Sequence, residues 1–182
     1  MMKLATTIDI ETLGVKPDCV ILTIGAVKFD PLGDFVDREN GLYLRLNVDE
    51  QTDLGRSTDQ GTLDWWSKQD PAVLAEALSD ENRVSLAETV TAINKFIVGI
   101  DTIWTQGSFD ITILENLYRM LGHPIPWNYW QVRDSRTLFQ VFGDPRVKQA
   151  GLHHNALEDC VDQSKAVQIL LKRVGHEKIQ SR

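Results

Sequence analysis

The sequence is poor in cysteine and has no long apolar run. Its two cysteines, Cys19 and Cys160, lie far apart, so we expect neither a thiolate metal site nor a disulfide framework. No apolar stretch approaches the length needed to cross a bilayer. The first residues follow a strand-like pattern without a charged and then apolar leader. The sequence therefore predicts a cytoplasmic protein without a membrane partner.

Positive charge is also scarce. The chain has 19 Lys and Arg residues against 26 Asp and Glu residues, and its formal net charge is −7. This balance argues against a long clamp on duplex DNA, because such binding depends on a broad basic face. An enzyme that binds only a few nucleotides is still allowed, because bound metal ions change the field around clustered acids.

Length and composition are those of one globular domain. The 182 residues are 42% hydrophobic and 25% charged, which allows a sizeable core. No repeat, low-complexity tract or Pro/Ser-rich linker interrupts them. We therefore expect a single domain over residues 1–182.

Two acids lie close together near the start of the chain. Asp9 and Glu11 are two residues apart in a run of β-forming residues, so their side chains project from the same face of a strand. Ile8 and Ile10 point to the opposite, apolar face. Like charges this close are costly unless a partner such as a hard divalent cation neutralises them. From this pair alone, a strand end with solvated acids is an equally good interpretation.

The apolar periodicity predicts strands that alternate with helices. We expect strands at residues 4–11, 20–29, 42–46, 100–105 and 127–132. We expect helices at residues 62–67, 71–78, 110–121 and 155–174, another from the capping box at Ser85, and one that follows residues 133–136 and ends at 142. Residues 47–61 are polar and predict a surface loop. The short connections between the first three strands favour an antiparallel meander.

Two further acids occupy inward positions on predicted helices. Asp110 stands at the head of the core-facing stripe of its helix, although a favourable charge at a helix N-terminus is an alternative role. Asp159 falls inside the apolar arc of the last helix, whereas Glu158 and Asp162 fall on its solvated face. His154 lies about one turn before Asp159, and a helix-capping or loop histidine is the alternative interpretation.

Together these acids suggest one shared site at an end of the sheet. Asp9, Glu11, Asp110 and Asp159 supply enough carboxylates for two divalent cations, Mg²⁺ or Mn²⁺. Two such ions about 3.5–4 Å apart stabilise the attacking and leaving oxygens in phosphodiester cleavage. His154 is a candidate general base, because a neutral histidine accepts a proton near neutral pH.

The order of these residues resembles a known family. Asp-x-Glu on a first strand, an inner Asp after a later strand and His-x4-Asp at a last helix are similar to the motifs of the DEDDh-type 3′–5′ exonucleases. The matching segments are residues 8–12, 107–110 and 154–159, which together span almost the whole chain. Residues 62–69 and 133–137 resemble a narrower branch, the phage exonuclease A-like enzymes and their bacterial 3′–5′ exoribonuclease relatives.

The resemblance implies an α/β, ribonuclease H-like fold. Its central mixed sheet would have about five strands, the first three antiparallel, and would be flanked by helices. By the same likeness Asp9 would bridge both ions, Glu11 and Asp159 would hold the ion that carries the attacking water, and Asp110 would help to hold the second. Glu11 is thus both a metal ligand and a catalytic residue in this expectation.

The resemblance also implies roles for residues around the acids. His154 would be the general base, although a one-residue slip would give that role to His153. The spacing to Asp159 favours His154. Thr12 and Leu13, which directly follow the acid pair, would contact the terminal nucleotide.

Aromatic and basic residues supply further candidate substrate contacts. Trp65 and Trp66 are candidates because aromatic rings stack on bases of any sequence. Packing in the core or under a loop is the alternative for each ring. Arg133 and Arg136 are candidates for phosphate contacts, and a salt bridge or helix cap is the alternative for both.

We therefore expect a metal-dependent 3′–5′ exonuclease that releases nucleoside 5′-monophosphates from the 3′ ends of single-stranded DNA or RNA. One alternative is an endonuclease of the ribonuclease H type, which also uses clustered acids. The other is a nucleic-acid-binding module that has lost catalysis. The sequence leaves open the choice between DNA and RNA, and whether the protein forms a homodimer as many relatives do.

Overall fold

A mixed β-sheet lies at the centre of the computed structural model, which describes residues 3–146 and 155–175. Within these ranges the sheet has six strands in the order β4-β3-β2-β1-β5-β6. The strands are β1 (Ala5–Thr12), β2 (Ile21–Phe29), β3 (Val36–Leu46), β4 (Arg83–Val84), β5 (Thr102–Thr105) and β6 (Val132–Asp134). The first three strands are antiparallel, as predicted, whereas β5 runs parallel to β1 and β6 runs parallel to β5. The α/β class with a mixed sheet is thus confirmed.

Helices cover both faces of this sheet. They are α1 (Val48–Asp53), α2 (Gln60–Trp66), α3 (Pro71–Leu78), α4 (Leu86–Ile97), α5 (Phe109–Met120), α6 (Ser135–Phe142) and α7 (Ala156–Val174). The predicted capping box is present at the start of α4, where Ser85 and Glu88 satisfy each other's backbone N–H groups. None of the helices in the described ranges combines the length and apolarity that a membrane span requires.

The structure corrects the sequence prediction in four places. Residues 47–61 are not simply a surface loop, because they contain α1. Asn47 caps this helix, and the buried Gln51 exchanges hydrogen bonds of 2.8 Å with the backbone N–H and C=O of Ile21. The third strand begins at Val36 rather than at residue 42. The sheet has six strands rather than about five, because the two-residue β4 carries no apolar pattern of its own.

The last predicted strand is also shifted. Residues 129–131 form a short 3₁₀ helix, and β6 follows it at residues 132–134. The Gln131 side chain donates a hydrogen bond of 2.8 Å to the carbonyl of Ile100, a long-range contact that ties this turn to the start of β5.

The two faces of β1 pack against different helices, which agrees with its period of two. Ile8 and Ile10 face an apolar cluster with the buried stripes of α4 and α5. On the other face Ala5 packs against the α7 stripe, and the Thr7 and Ser164 hydroxyls lie 2.7 Å apart. Each fully buried Leu or Ile in these layers contributes roughly 1.5–3 kcal/mol. Asp9 and Glu11 continue the α7-facing row.

A glycine lets α7 come close to the sheet beside Asp9. Gly25 is paired with Asp9 across the β1–β2 ladder. A Cβ on Gly25 would lie 2.3 Å from the carbonyl carbon and oxygen of Ala156, so only glycine allows this contact. One turn further along α7, the Cys160 thiol donates a hydrogen bond of 3.3 Å to the Gly25 carbonyl. The first turns of α7 are thereby held directly over the acid pair.

Candidate active site

The first two acids stand at the end of the central strand. Asp9 and Glu11 are half-buried on β1, which is flanked by β2 and β5. The β1–β2 register shifts between Glu11 and Thr12, so the regular ladder ends just after the pair. Both carboxylates therefore lie on a central strand, next to the point where its regular pairing with β2 ends.

Helix α7 adds the third acid. The closest carboxylate oxygens of Asp9, Glu11 and Asp159 lie within 4.8 Å of one another. The neighbouring acids of α7 behave as the helical periodicity predicted. Glu158 forms an ion pair with Arg38, and Asp162 is exposed.

The fourth acid is fixed to the same strand by a hydrogen bond. Asp110, in the first turn of α5, is only 4% exposed. Its Oδ1 accepts a hydrogen bond of 3.2 Å from the backbone N–H of Ile10, the residue between Asp9 and Glu11. The structure thus brings together all four acids that the sequence predicted, although Asp110 lies outside the tight group of three.

Burial and mutual repulsion strongly perturb these carboxyl groups. Burial raises the pKa of Asp9 well above its ordinary value, and the charges of Asp110, Glu11 and Asp159 raise it further. Burial and the charges of Asp159 and Asp110 raise the pKa of Glu11 to about 8. Burial raises the pKa of Asp110 to about 6, although backbone hydrogen bonds oppose this shift.

This electrostatic pattern fits a site for hard cations. Four clustered carboxylates cannot all ionise near neutral pH without a compensating positive charge, and divalent cations bound by oxygen supply it. Burial raises the pKa of the Cys160 thiol well above its ordinary value, which disfavours the thiolate form that binds metals. Among the described residues, the candidate ligands of this group are therefore carboxylate oxygens.

Two cavities meet at the acids. The first, of about 440 Å³, is lined by all four acids together with Ile10, Gln106, Phe109, Arg136, Arg146 and Gln163. The second, of about 400 Å³, is lined by the end of β1, by Gly14 and Val15, and by residues of α2 and its N-terminus. Ile10, Glu11 and Phe109 line both cavities. A molecule in the second cavity would thus lie beside the acids in the first.

Of the two predicted substrate contacts that follow the acid pair, one lines a cavity and the other packs in the core. Thr12 lines the second cavity, and its hydroxyl donates a hydrogen bond of 2.7 Å to the Gly14 carbonyl. Leu13 instead packs into an apolar cluster with Val20, Leu22 and neighbouring residues and is absent from both linings. Contact between Leu13 and a nucleotide stays a prediction.

The two tryptophans differ in exposure. Trp66 is 2% exposed, and its indole N–H donates a hydrogen bond of 2.8 Å to the Thr12 carbonyl. Trp65 is 40% exposed and meets Trp66 edge to face, with ring centroids 5.0 Å apart. Both line the second cavity, but only Trp65 has a substantial accessible surface.

The two predicted arginines point to different places. Arg136 lines the acid cavity, and its Nη2 donates to the Gln106 carbonyl at 3.3 Å. Asp134 caps α6 and accepts a hydrogen bond of 2.9 Å from the Gly107 backbone, which links the start of α6 to the loop before Asp110. Arg133 donates instead to the carbonyls of Trp130 and Val132, and it lines neither cavity.

The predicted base lies outside the described residues. This holds for both His154 and its neighbour His153. The described chain resumes at Asn155, whose side chain caps α7 by accepting hydrogen bonds from Leu157 N–H and Glu158 N–H. The role of His154 stays a prediction.

Several residues of the acid cavity were not predicted as site residues from the sequence, and Arg146 and Gln163 are among them. Arg146 lies 4.7 Å from the centre of the Phe139 ring and pairs with Asp144 at 2.7 Å. Its loop has no periodicity that would indicate where it points. Gln163 lies four residues after Asp159 on α7 and shares its face, a spacing that could have identified it from the sequence.

Comparison with known proteins finds a matching family model and a curated relative. The family model of the Rv2179c-like 3′–5′ exoribonuclease domain matches residues 5–171. The exodeoxyribonuclease of Enterobacteria phage T4 is 25% identical, over 74% of this chain and 70% of the relative.

Solved structures share the fold. E. coli exonuclease I in complex with a dA16 oligonucleotide matches with a TM-score of 0.63 at 14% identity, over 94% of this chain and 42% of that one. The nuclease domain of 3′hExo, a DEDDh family member bound to rAMP, matches with a TM-score of 0.59 at 13% identity, over 94% and 93%. Cell-death related nuclease 4 matches at 0.55 and 12% identity, and this chain spans 64% of its length.

The solved structures confirm the ribonuclease H-like fold. The family model and the phage relative, together with them, confirm the resemblance to DEDDh-type 3′–5′ exonucleases. Because the family match covers most of the chain, the protein belongs to the family of Rv2179c-like 3′–5′ exoribonuclease domains, a family of nuclease hydrolases.

Proposed function

We propose that this protein is a metal-dependent 3′–5′ exonuclease that hydrolyses phosphodiester bonds of single-stranded RNA or DNA and releases nucleoside 5′-monophosphates. The observation that carries the proposal is the group formed by Asp9, Glu11 and Asp159, whose oxygens lie within 4.8 Å of one another beside the buried Asp110. We further propose that residues 1–182 act as a single exonuclease domain, because the described strands all join one sheet.

The four acids would hold two divalent cations, Mg²⁺ or Mn²⁺. Asp9 would contact both, Glu11 and Asp159 would complete one site, and Asp110 would contribute to the other. When bound, the two ions stabilise the charge on the attacking and leaving oxygens of the phosphodiester. The elevated pKa values of Asp9 and Glu11 support this role, because each carboxyl group ionises more easily when a cation lies beside it.

The second cavity would hold the terminal nucleoside. Glu11 and Phe109 line both cavities, so a nucleoside there places its phosphate next to the acids. Trp65 offers an accessible aromatic surface for a base, and Thr12 lies at the same wall. Trp66 supports this wall through its hydrogen bond to the Thr12 carbonyl.

Basic residues would complete the reaction site. Arg136 and Arg146 line the acid cavity and would donate hydrogen bonds to phosphate oxygens. His154, close in sequence to Asp159, would accept the proton of the attacking water. This step leaves the cleaved phosphate on the released nucleotide and a free 3′-hydroxyl on the shortened strand.

The decisive experiment uses matched single-stranded RNA and DNA labelled at the 5′ end, in the presence of Mn²⁺. We expect stepwise shortening from the 3′ end by the wild type and its loss in Asp9→Ala. Asp162→Ala is the matched control, because Asp162 is an exposed acid of the same helix as Asp159, and it should keep full activity. Full activity of Asp9→Ala would overturn the proposal.

Two further substrates separate the alternatives. A circular RNA annealed to DNA has no 3′ end and should resist an exonuclease, so its cleavage would favour an endonuclease of the ribonuclease H type. Binding of the linear strand without release of mononucleotides, in Mg²⁺ and in Mn²⁺, would favour a binding module. Comparison of the RNA and DNA rates measures the sugar preference directly.

A further inference from the structure

Three buried glutamines differ in the hydrogen bonds that their side chains make. Gln51 exchanges hydrogen bonds with both backbone groups of Ile21. Gln168 donates to the carbonyls of Asp30 and Phe35 at 2.8 and 2.9 Å. Gln163 is only 2% exposed, and its Oε1 finds no hydrogen-bond partner among the described residues. An orphaned buried acceptor is uncommon in folded proteins and calls for a specific explanation.

The position of Gln163 points to such an explanation. It lies on α7 one turn after Asp159 and lines the 440 Å³ cavity together with the four acids. Arg146, a cation of the same cavity, is already engaged by Asp144. Gln163 therefore forms part of the wall of a cavity whose carboxylate oxygens suit a divalent cation, and its own amide oxygen has no partner among the described residues.

We propose that Gln163 is a positioning residue for the metal site. Its amide oxygen accepts a hydrogen bond from water that hydrates the cation held by Asp9, Glu11 and Asp159. This inference rests on the proposed metal-dependent function and deepens it, because it assigns a role in metal affinity to a neutral residue outside the four acids. Partners of this kind orient metal ligands and their loss lowers metal affinity by about 10–100-fold.

The test measures Mn²⁺ binding by calorimetry without substrate. Gln163→Leu keeps a similar volume and removes the amide oxygen, so we expect Mn²⁺ binding to weaken by about tenfold or more. In the metal-free protein the same change removes an orphaned acceptor, so the melting temperature should stay the same or rise. Gln163→Glu, which restores an oxygen acceptor, should bind Mn²⁺ at least as tightly as the wild type.

Gln168→Leu is the matched control. It removes a buried glutamine of the same helix whose amide nitrogen donates to two backbone carbonyls. We expect a lower metal-free melting temperature and unchanged Mn²⁺ affinity, the opposite pattern from Gln163→Leu.

At saturating Mn²⁺, Gln163→Leu should regain most of the wild-type kcat, whereas a variant with a collapsed site would not.

The outcomes separate this inference from the proposed function. If wild-type protein binds Mn²⁺ and Gln163→Leu binds it equally well, Gln163 only fills space and the inference is wrong. A lower metal-free melting temperature with unchanged Mn²⁺ affinity would overturn it in the same way. If the wild type itself binds no Mn²⁺, the proposed metal-dependent function fails first, and the inference fails with it.

Discussion

Gly25 and Ala156 are in backbone contact, and this contact sets the distance between β1 and α7 at the candidate site. Gly25 is the ladder partner of Asp9, and Ala156 is the first residue of α7, three residues before Asp159. The absent side chain of Gly25 is what allows the helix to approach. The distance between the acids of β1 and Asp159 of α7 therefore depends on a glycine, which has no side chain.

Gly25→Ala should separate the acids. Its Cβ would lie 2.3 Å from two Ala156 backbone atoms, so α7 must shift. We expect a loss of about 1–3 kcal/mol in the free energy of unfolding, measured by urea titration, because overpacked contacts cost this much. Displacement of Asp159 should also weaken Mn²⁺ binding by tenfold or more in calorimetry.

Gly61→Ala is the control for this substitution. Gly61 lies in α2, and among the described residues only Oδ2 of Asp59, the residue that caps this helix, lies within 4 Å of the added Cβ, at 3.1 Å. Stability should stay equal or rise, since Ala favours a helix over Gly, and Mn²⁺ affinity should not change. Unchanged Mn²⁺ affinity in Gly25→Ala would contradict the role given to this contact.

The metal-free protein should become less stable as the pH rises. The pKa of Glu11 is raised to about 8 in the fold and is ordinary in the unfolded chain, so the folded state binds the extra proton. This stabilising contribution is fully present below about pH 4.5 and is lost as the pH rises through about 8. Urea unfolding in a chelator should give a higher free energy of unfolding at pH 5.5 than at pH 8.5, by a few kcal/mol at most.

Two comparisons assign this pH dependence to the site. Glu11→Gln should reduce the difference between the two pH values, because the neutral amide does not titrate. Saturating Mn²⁺ should reduce it too, because bound cations favour the ionised carboxylates. A wild-type protein that is more stable at pH 8.5 than at pH 5.5 without metal would contradict the prediction.

Trp65 and Trp66 should respond differently to removal. Trp65→Ala should raise the KM for a single-stranded oligonucleotide by about tenfold, since stacking on one base contributes roughly 1–3 kcal/mol, with little change in melting temperature. Trp66→Ala should lower the free energy of unfolding by about 3–5 kcal/mol, because it empties a buried site. Trp130→Ala, an exposed ring outside both cavities, is the control for KM. An unchanged KM in Trp65→Ala would exclude stacking.

Arg146 should contribute to turnover, although the sequence of its loop did not indicate that it lies in the acid cavity. Arg146→Met keeps a flexible apolar chain over the Phe139 ring and removes the cation from the acid cavity. We expect kcat/KM to fall by about 10–100-fold, the cost of losing a charged hydrogen bond to phosphate. Arg133→Met is the control, because Arg133 is bound to backbone carbonyls away from both cavities. Equal losses in both variants would indicate general charge attraction instead.

The periodicity of the sequence was sufficient to place the acids. A period of two put Asp9 and Glu11 on one face of β1, and a period of 3.6 turned Asp159 inward and Glu158 outward, as the structure confirms. The strand and helix order was predicted for the same reason, since burial of one face leaves a local pattern. Helix α1 was missed because long-range hydrogen bonds from Gln51, rather than an apolar stripe, hold it in place.

By itself, then, the sequence determined which chemical groups this protein has and which way each faces on its own strand or helix. Only the tertiary structure decided how close they come and which other residues join them. Examples are Gly25 under α7, Arg146 beside the acids, and Gln163, whose amide oxygen has no partner within the described part of the chain. Local periodicity reports which face is buried, but the distance between elements depends on contacts between residues far apart in the chain, which no local pattern records.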